Sequence, residues 1–577
     1  MNSFVNTSRH LDEEQLSPPS TRVPNQEFAL GRPVFADADL ARLQHAEGDL
    51  AAWRQGFARH GARAPRHVSG DFAVAARLED GRLYLAVDRF AVRSLCYRSE
   101  GNTLHFGERA DQLTGGRSEI DPQAIFDYFY FHVIPAPRTI FKGVLRLPAG
   151  HSVLFERGKL TVAPYWVPEF EENRHVSFPR LKEEFLHLVE TSVRDQLNGQ
   201  RTGCFLSGGT DSSTVAGMLC KVSGQPAPSY SIGFDAQGYD EMEYARMAAR
   251  RFGADHHEYY VTPDDLLRSI PDVAAHYDQP FGNSSALPGY YCARRAREDG
   301  IEKLLAGDGG DELFGGNSRY AKQRVFDWYR GFPGPFRRHV MEPISPLLSG
   351  IPLLRKVDSY IEQARVPMPG RMHMYSLLTH LGMDTIFPPS MLEVFDQAAP
   401  MRQQQEVWDA PRANSLINRM LAFDWRYTLA ENDLPKVCGT TALAGVEVGF
   451  PLLDQRILDF SLRLPPDYKL KGLKLRWFFK EALRGFLPDD IITKKKHGFG
   501  LPFGVWATRH AGLKGLAEES VRGLADRGIV RHDFIDALLA EHLPTHPGYY
   551  GEMVWIMMMM EQWFRQHTPV FGATNGQ

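Results

Sequence analysis

Cysteine is scarce in this chain, with five thiols among 577 residues. The five are Cys96, Cys204, Cys220, Cys292 and Cys438. No two of them have the spacing of a zinc site or of a redox-active pair, and their odd number gives no disulfide framework. Reduced thiols, and therefore a cytoplasmic location, are the expectation.

Long apolar runs and an excess of basic charge are also missing. The most apolar stretch, residues 553–560, falls well short of the roughly 20 residues of a membrane-spanning helix and predicts a buried helix instead. The formal net charge of −4 gives no basic surface for nucleic acid. The polar, acidic N-terminus does not resemble a signal peptide. We therefore expect neither nucleic acid nor a membrane as a partner.

Composition divides the chain into three parts. Residues 1–26 are rich in Ser, Thr and Pro and predict a flexible arm. Residues 27–168 contain short apolar segments and the turn Asp80-Gly81, a strong hairpin signal, so a β-rich domain is predicted. In residues 178–570, strand and helix patterns alternate, which predicts a doubly wound parallel sheet of the α/β class, with a helical lobe after about residue 320.

The stretch from Cys204 to Ser213 reads Cys-Phe-Leu-Ser-Gly-Gly-Thr-Asp-Ser-Ser and predicts a strand, a tight loop and a helix. Gly208 and Gly209 let a ligand approach the main chain, and the loop N–H groups with the helix N-terminus favour an anion. Asp211 would repel a bare phosphate, so its presence indicates a Mg²⁺ between them. The alternative is an ordinary Gly-Ser turn with a capping Asp.

A second glycine-rich stretch runs from Ala306 to Gly316, directly after an apolar strand candidate. Asp311 is placed to give a second carboxylate to the metal of Asp211, since Mg²⁺ commonly takes one or two protein carboxylates. Asp308 would then face whatever lies beside the α-phosphate. A calcium loop is the competing interpretation, but calcium loops of the EF type space their oxygens at alternate positions and have fewer glycines.

Two later stretches contain charged residues that allow both a structural and a functional interpretation. Residues 446–454 place Glu447 on an otherwise apolar run, where a carboxylate is either an unpaired buried acid or a held base. Residues 494–502 begin with three lysines, and a solvated charge run is the default interpretation of Lys494 and Lys495.

Taken together, these residues resemble the asparagine synthetase family, whose synthetase domain has the N-type ATP pyrophosphatase (PP-loop) fold. The resemblance covers about residues 70–565, and the motifs occur in the family's order. They are Ser207–Ser213, Ser231–Phe234, Tyr239–Glu241, His256–Glu258, Asp278–Pro280, Ser284–Pro288, residues 306–316, Glu447 with Pro451–Asp454, and Lys496–Phe499.

The resemblance implies an AMP-forming carbon–nitrogen ligase that uses ATP and Mg²⁺. In such enzymes a substrate carboxylate attacks the α-phosphate, pyrophosphate leaves, and ammonia or an amine displaces AMP. By position, Asp211 and Asp311 would hold Mg²⁺, Asp308 would lie near the acyl-adenylate, Glu447 would be a base or orienting acid, and Lys496 would neutralise charge between the α- and β-phosphates. The residues that would bind ATP or pyrophosphate are Leu206, Ser207, Gly208, Gly209, Asp211, Ser212, Ile232, Ala306 and Gly307.

The chain departs from the family at the glutaminase site. Glutamine-hydrolysing members begin Met-Cys-Gly, whereas Asn2 stands here and the first cysteine is Cys96. The glutamine-binding segments are also missing from residues 1–65. We therefore expect a degenerate, N-terminal-nucleophile (Ntn) glutaminase-like domain, with nitrogen taken from free ammonia, from a separate glutaminase or from an amine substrate.

Two further departures lie at the synthetase site. Many members have Lys-Val-Asp-Arg where this chain has Lys436-Val-Cys-Gly439, and Glu-Val-Arg where it has Glu447-Val-Gly449. Two guanidinium positions that could bind a carboxylate in bidentate fashion are therefore lost. Either the acid differs from aspartate, or other cations serve the pocket.

Several functions stay open from the sequence. Asparagine synthesis is the default, and cyclisation to a β-lactam or lasso peptide and amidation of a sugar acid are alternatives, because pocket residues set the substrate. A non-catalytic nucleotide-binding partner is the alternative from another class, and a tRNA-modifying enzyme is disfavoured by the acidic charge balance. The expected partners are a small-molecule or peptide acid and an amine donor, with a homodimer as a further option.

Overall fold

In the computed structural model, the described residues are 24–116, 118–172, 176–236, 238–337, 339, 361, 363–372, 377–494 and 500–567. Two domains follow one another along the chain, the first built mainly of antiparallel strands and the second around a parallel sheet. Within the described ranges, every helix is too short or too polar to cross a membrane.

The first domain contains two antiparallel sheets, with strand orders β1-β4-β5-β9-β10 and β7-β6-β8, and a small β2-β3 pair. Its strands are β1 (Phe28–Gly31), β2 (Val34–Phe35), β3 (Val68–Ser69), β4 (Phe72–Arg77), β5 (Leu83–Val87), β6 (Cys96–Glu100), β7 (Thr103–Gly107), β8 (Leu145–Arg146), β9 (His151–Glu156) and β10 (Lys159–Pro164). Its helices are α1 (Ala38–Glu47), α2 (Asp49–His60) and α3 (Pro122–Phe131).

The hairpin predicted at Asp80-Gly81 is confirmed. Arg77 pairs with Leu83 across β4 and β5, and Gly81 takes a φ of 84° in the turn between them. Because both strands are buried on both faces, their side chains fill two separate cores, one toward β6 and β7 and one toward α2.

The second domain is organised around a five-stranded parallel sheet of order β13-β12-β11-β14-β15. Its strands are β11 (Thr202–Phe205), β12 (Pro228–Phe234), β13 (Asp255–Val261), β14 (Lys303–Leu305) and β15 (Glu447–Gly449), followed by the short pair β16 (Leu470–Lys471) and β17 (Lys474–Leu475). The sequence pattern indicated β11 and β14, whereas β13, whose residues are largely polar, and β15, which has three residues, were missed.

Helices cover both faces of this sheet, as predicted. Those before β15 are α4 (Phe178–Asp195), α5 (Thr210–Ser223), α6 (Met242–Phe252), α7 (Pro263–His276), α8 (Ala286–Glu298), α9 (Gly310–Phe314), α10 (Ser318–Gly331), α11 (Gly334–Phe336), α12 (Leu377–Leu381), α13 (Met383–Ile386), α14 (Pro389–Leu392), α15 (Ala399–Asp409), α16 (Leu416–Asp424) and α17 (Leu434–Leu443). Alternation along β11 fits this arrangement, because Cys204 belongs to the large core that includes α5, whereas the next residue, Phe205, also packs against a smaller cluster that includes Ala293 of α8.

The helical lobe predicted after about residue 320 is present, and β15 returns from it to the sheet. The helices after β15 are α18 (Gln455–Leu462), α19 (Pro466–Lys469), α20 (Trp477–Ala482), α21 (Asp489–Thr493), α22 (Phe503–Arg509), α23 (Ala511–Asp526), α24 (His532–Ala537), α25 (Leu543–Thr545) and α26 (Pro547–His567). The methionine-rich run lies in α26 and is buried, as its composition predicted.

The two domains share buried polar contacts. The Tyr128 hydroxyl of α3 donates to the Ile556 carbonyl of α26 at 2.8 Å. Arg146 of β8 donates to both oxygens of Asp278, at 2.9 and 3.1 Å. Burial opposes ionisation of Asp278, but Arg146 and Arg109 outweigh it and hold the pKa of that carboxyl below its ordinary value. The first domain is therefore joined to the second by an ion pair that becomes an uncompensated charge if either partner is removed.

Candidate active site

The loop between β11 and α5 and the first residues of α5 form a concave segment, residues 207–212, which we call the cradle. Ser207 and Ser212 lie with their hydroxyl oxygens 2.9 Å apart, and the Ser207 N–H donates to the Ser212 hydroxyl at 3.1 Å. Gly208 has a φ of 70°, and a Cβ there would lie 2.5 Å from the Ala245 nitrogen, so only glycine fits. Gly209 then caps α5, whose first N–H groups face the loop.

The second glycine-rich loop packs against the first. The Ala306 N–H donates to the Gly449 carbonyl at 2.9 Å, which fixes the end of β14 against β15. A Cβ on Gly307 would lie 2.7 Å from the Ser212 nitrogen and 2.9 Å from the Asp211 carbonyl carbon. The two loops therefore touch backbone to backbone, and the sequence-predicted residues Gly307, Asp211 and Ser212 meet at the same edge of the sheet.

Leu206 and Ile232 also border this edge. Leu206 is buried, and its carbonyl accepts a short hydrogen bond from the Ser231 hydroxyl of the neighbouring strand β12. Ile232 follows Ser231 and is half-buried. Leu206 directly precedes the cradle, and Ile232 follows the residue that bonds to it. The adenosine contact that the resemblance implies for both stays a prediction.

Asp211 and Asp311 are brought together by an arginine that the sequence analysis missed. Nη1 of Arg476 lies 2.8 Å from Oδ2 of Asp211 and 2.6 Å from Oδ1 of Asp311. Its Nη2 makes a short ion pair with Oδ1 of Asp211. The two carboxylates therefore converge on one cation, and the contact to the Thr210 hydroxyl at 3.0 Å completes the set.

This convergence is a test of the predicted Mg²⁺ site. Two carboxylates on one positive centre are the hard oxygen donors that Mg²⁺ takes, so the residues fit the metal. In this structure, however, the centre is the guanidinium of Arg476, a residue at the start of α20. No group of three or more His, Cys, Asp or Glu with metal-binding geometry occurs among the described residues.

Asp308 lies beside a buried lysine. Nζ of Lys436 is 2.8 Å from Oδ1 of Asp433 and 3.7 Å from Oδ1 of Asp308. Burial raises the pKa of Asp308 to about 6, although Lys436 opposes the shift. Burial also raises the pKa of Glu312 to about 8, with Asp433 adding to it. Around Lys436, the three carboxyl groups of Asp308, Glu312 and Asp433 therefore outnumber this one cation.

Glu447 lies away from the cradle. It pairs with Lys303 at the start of the parallel strands, whereas Ala306 and Gly307 follow their other end. Its side chain is 52% exposed, and Oε2 lies 2.7 Å from Nη2 of Arg32 in the first domain. The described contacts of Glu447 are thus those of an interdomain ion pair, and its role as a base stays a prediction.

The two lysine predictions have different outcomes. Lys494 was expected to be solvated, and that expectation is wrong, because its side chain is only 8% exposed, pairs with Glu241 at 3.0 Å and covers the ring of Tyr244. Lys496, the predicted catalytic lysine, lies outside the described residues together with Lys495.

The space beside the two departure positions is filled. A Cβ on Gly439 would lie 2.6 Å from the ring of Tyr277, whose hydroxyl donates to the carbonyls of Pro435 and Lys436. A Cβ on Gly449 would lie 3.0 Å from Cε of Lys303 and closer still to the Gln196 amide. Neither position can carry an arginine side chain in this structure unless Tyr277, at the first position, or Gln196 and Lys303, at the second, move aside.

Comparison with known proteins agrees with this arrangement. Residues 184–565 match the asparagine synthase family, and residues 45–166 match a glutamine amidotransferase domain. A glutamine-hydrolysing asparagine synthetase of Bacillus subtilis is 23% identical over 501 residues, which are 84% of this chain and 75% of the relative. A Mycobacterium bovis protein, provisionally named as such an enzyme, is 26% identical over 562 residues, 92% of this chain and 83% of the relative.

Relatives with another name occur as well. The amidase chyE of Penicillium rubens is 23% identical over 522 residues, which are 81% of this chain and 75% of that protein. Because the asparagine synthase match spans well over half of the sequence and contains both loops and Arg476, this chain belongs to the asparagine synthase family of carbon–nitrogen ligases.

Proposed function

We propose that the protein forms an amide from a carboxylic acid and ammonia or an amine, by way of an acyl-adenylate. The observation that carries this proposal is the meeting of the 207–212 cradle with Asp211, Asp311 and Gly307 at the same edge of the sheet. A cradle of this kind suits a pyrophosphate that leaves, since it offers hydroxyls and N–H groups but no lysine directly after the glycines.

The reaction divides into two steps. A carboxylate oxygen of the acid attacks the α-phosphorus of ATP, and the bond to the bridging oxygen breaks, so that pyrophosphate leaves toward the hydroxyls of Ser207 and Ser212 and the N-terminus of α5. A Mg²⁺ held by Asp211 and Asp311 would supply positive charge to the phosphate oxygens. The amine then attacks the acyl carbon, AMP departs, and the amine proton passes to a base. Asp308 is the candidate beside the cradle, whereas Glu447 is a candidate by resemblance alone, because it lies at the other end of the strands.

One contact near the site bears on the choice of the acid substrate. Aspartate is the default from the family, but Gly439 stands at one of the family's arginine positions, and the ring of Tyr277 lies where a side chain from that position would begin. This observation favours a different acid as a second candidate, one whose distal group is neutral or aromatic. An ATP–pyrophosphate exchange screen over aspartate, sugar acids and peptides decides between aspartate and another acid. Acid-dependent exchange supports the ligase, whereas nucleotide binding without exchange for any acid contradicts it.

The nitrogen source is expected to be ammonia or an amine rather than glutamine. The first cysteine, Cys96, is fully buried, and burial raises the pKa of its thiol to about 12, so it is a poor nucleophile. We expect the pure protein to release no glutamate from glutamine, while ammonium supports amide formation. A coupled glutamate assay measures this, and glutamate release at the rate of amide formation would show the expectation to be wrong.

Arg32 is expected to act on amide formation through Glu447. Arg32→Gln removes the cation 2.7 Å from Glu447, and we expect amide formation to fall about two- to fivefold, the range of a partly exposed ion pair, with exchange unchanged. In a Glu447→Gln background the same substitution should have no further effect. Arg412→Gln, which breaks an exposed pair with Glu169, is the control. Additive effects of the two substitutions would rule out action through Glu447.

A further inference from the structure

The guanidinium of Arg476 occupies the centre of the proposed metal site. Both oxygens of Asp211 and Oδ1 of Asp311 contact it, and Nη1 alone reaches one oxygen of each carboxylate. A Mg²⁺ bound by the same two oxygens would have to lie about 2.1 Å from each, in the space that Nη1 fills. The guanidinium and a metal therefore cannot bind these two oxygens together.

Arg476 is held firmly in this place. Its side chain is 5% exposed, and its guanidinium carbon lies 4.1 Å from the ring centroid of Phe479. Two carboxylates, a cation–π contact and the Thr210 hydroxyl together stabilise the position. In a buried site such contacts are stronger than on the surface, so a lone divalent cation gains little by displacing them.

Two features of Arg476 indicate a second state. Its backbone has a φ of 53° and a ψ of 37°, in the left-handed region that a residue with a side chain enters at a cost. Its Nε is buried and has no hydrogen-bond partner among the described residues. The Nε–H of Arg476 therefore lacks an acceptor in the described part of the chain, although it lies beside the proposed phosphate site. A phosphate oxygen would supply that acceptor.

We propose that Arg476 keeps the metal site closed until nucleotide binds, because its guanidinium and a divalent cation exclude each other at Asp211 and Asp311. The metal then binds together with the nucleotide. The guanidinium leaves the two carboxylates and donates hydrogen bonds to the phosphate oxygens. The proposal rests on the proposed nucleotide site and adds to it an order of binding: the protein without nucleotide has low affinity for the metal, and the nucleotide is required for tight metal binding.

The test is a Mn²⁺ titration of the full chain without nucleotide, in which electron paramagnetic resonance measures the free and bound Mn²⁺. The wild type should bind Mn²⁺ at least about tenfold more weakly than Arg476→Gln, whose two carboxylates lack a counter-charge. Arg476→Lys keeps the charge without the fork geometry and should lie between them. Arg484→Gln, which breaks an exposed ion pair, should match the wild type. Adding a non-hydrolysable ATP analogue should raise the Mn²⁺ affinity of the wild type.

A second readout guards against misfolding of the variant. Arg476→Gln should melt at a lower temperature than the wild type, and Mn²⁺ alone should restore much of the loss, whereas Mn²⁺ should not shift the wild type. Adding Asp211→Asn to Arg476→Gln should remove the gain in Mn²⁺ binding, which locates the metal. Equal Mn²⁺ affinity of wild type and Arg476→Gln, or a gain that survives Asp211→Asn, overturns the proposal, and neither result depends on whether the wild type catalyses exchange.

Discussion

Asp211→Asn and Asp311→Asn are each expected to lower acid-dependent ATP–pyrophosphate exchange by at least about 100-fold, the effect of removing a charged group that supports a phosphoryl transition state. Asparagine retains the shape of the side chain but loses the negative charge that a metal requires. Because each residue also neutralises Arg476, the substitutions leave that buried cation with one acid partner instead of two. A stability loss of about 1–3 kcal/mol should accompany the loss of exchange.

The control for this pair is Asp489→Asn, which removes an exposed carboxylate 2.8 Å from Arg484. Exchange and melting temperature should stay at the wild-type values, because an exposed ion pair contributes little. Exchange rates are measured with labelled pyrophosphate, and melting by circular dichroism. If Asp211→Asn folds and still exchanges within a few fold of the wild type, then Asp211 does not support the transition state.

Gly307→Ala is expected to weaken ATP binding by more than about tenfold and to destabilise the second domain by about 1–3 kcal/mol, the cost of overpacking a close contact. The added methyl group would lie 2.7 Å from the nitrogen of Ser212 and 2.9 Å from the carbonyl carbon of Asp211. Both are backbone atoms that cannot turn aside, so the two loops must separate. Their separation moves the cradle away from Asp311.

Gly515→Ala is a matched control. Gly515 lies inside α23, and a Cβ there meets nothing within 4 Å. Alanine should therefore leave ATP binding unchanged and stabilise the helix by about 0.5–1 kcal/mol. Binding is measured by calorimetry with a non-hydrolysable ATP analogue. Equal affinities for Gly307→Ala and the wild type would mean that the loop contact does not shape the nucleotide site.

The parts of the site that could be predicted from sequence are those encoded locally. Glycines, hydroxyls and a carboxylate directly after an apolar strand predict the loop at 207–212, and parallel strands bring a second such loop to the same edge. The proximity of Asp211 to Gly307 follows from this arrangement, because both residues lie shortly after the carboxyl ends of neighbouring parallel strands. The hairpin at Asp80-Gly81 was likewise encoded by neighbouring residues.

The missed parts depend on long-range packing. Arg476 is one basic residue in a segment with several, and only the fold brings it to Asp211, 265 residues away. Lys436 is similar, because it lies in α17, whereas Asp308 lies on the loop after β14. Glu447 was placed at the site by resemblance, but the register of β15 puts it beside Lys303 and Arg32. A three-residue strand has too few residues to show a periodicity, so its register could not be read from the sequence.

The first domain has a physical reason to persist whether or not it hydrolyses glutamine. Arg146 completes a buried ion pair with Asp278, and Tyr128 bonds to the backbone of α26. Removing the domain would expose the apolar surface of α26 and leave Asp278 without its main cation. The domain therefore stabilises the fold of the synthetase domain.

The most direct test of the central claim follows an oxygen atom. The acid that supports ATP–pyrophosphate exchange is labelled with ¹⁸O in its carboxylate and incubated with ATP and the amine. Mass spectrometry then measures the masses of the products. An acyl-adenylate transfers one labelled oxygen to AMP and none to pyrophosphate, and this is the predicted result. Label in inorganic phosphate, released together with ADP, would show an acyl phosphate instead and would contradict the account.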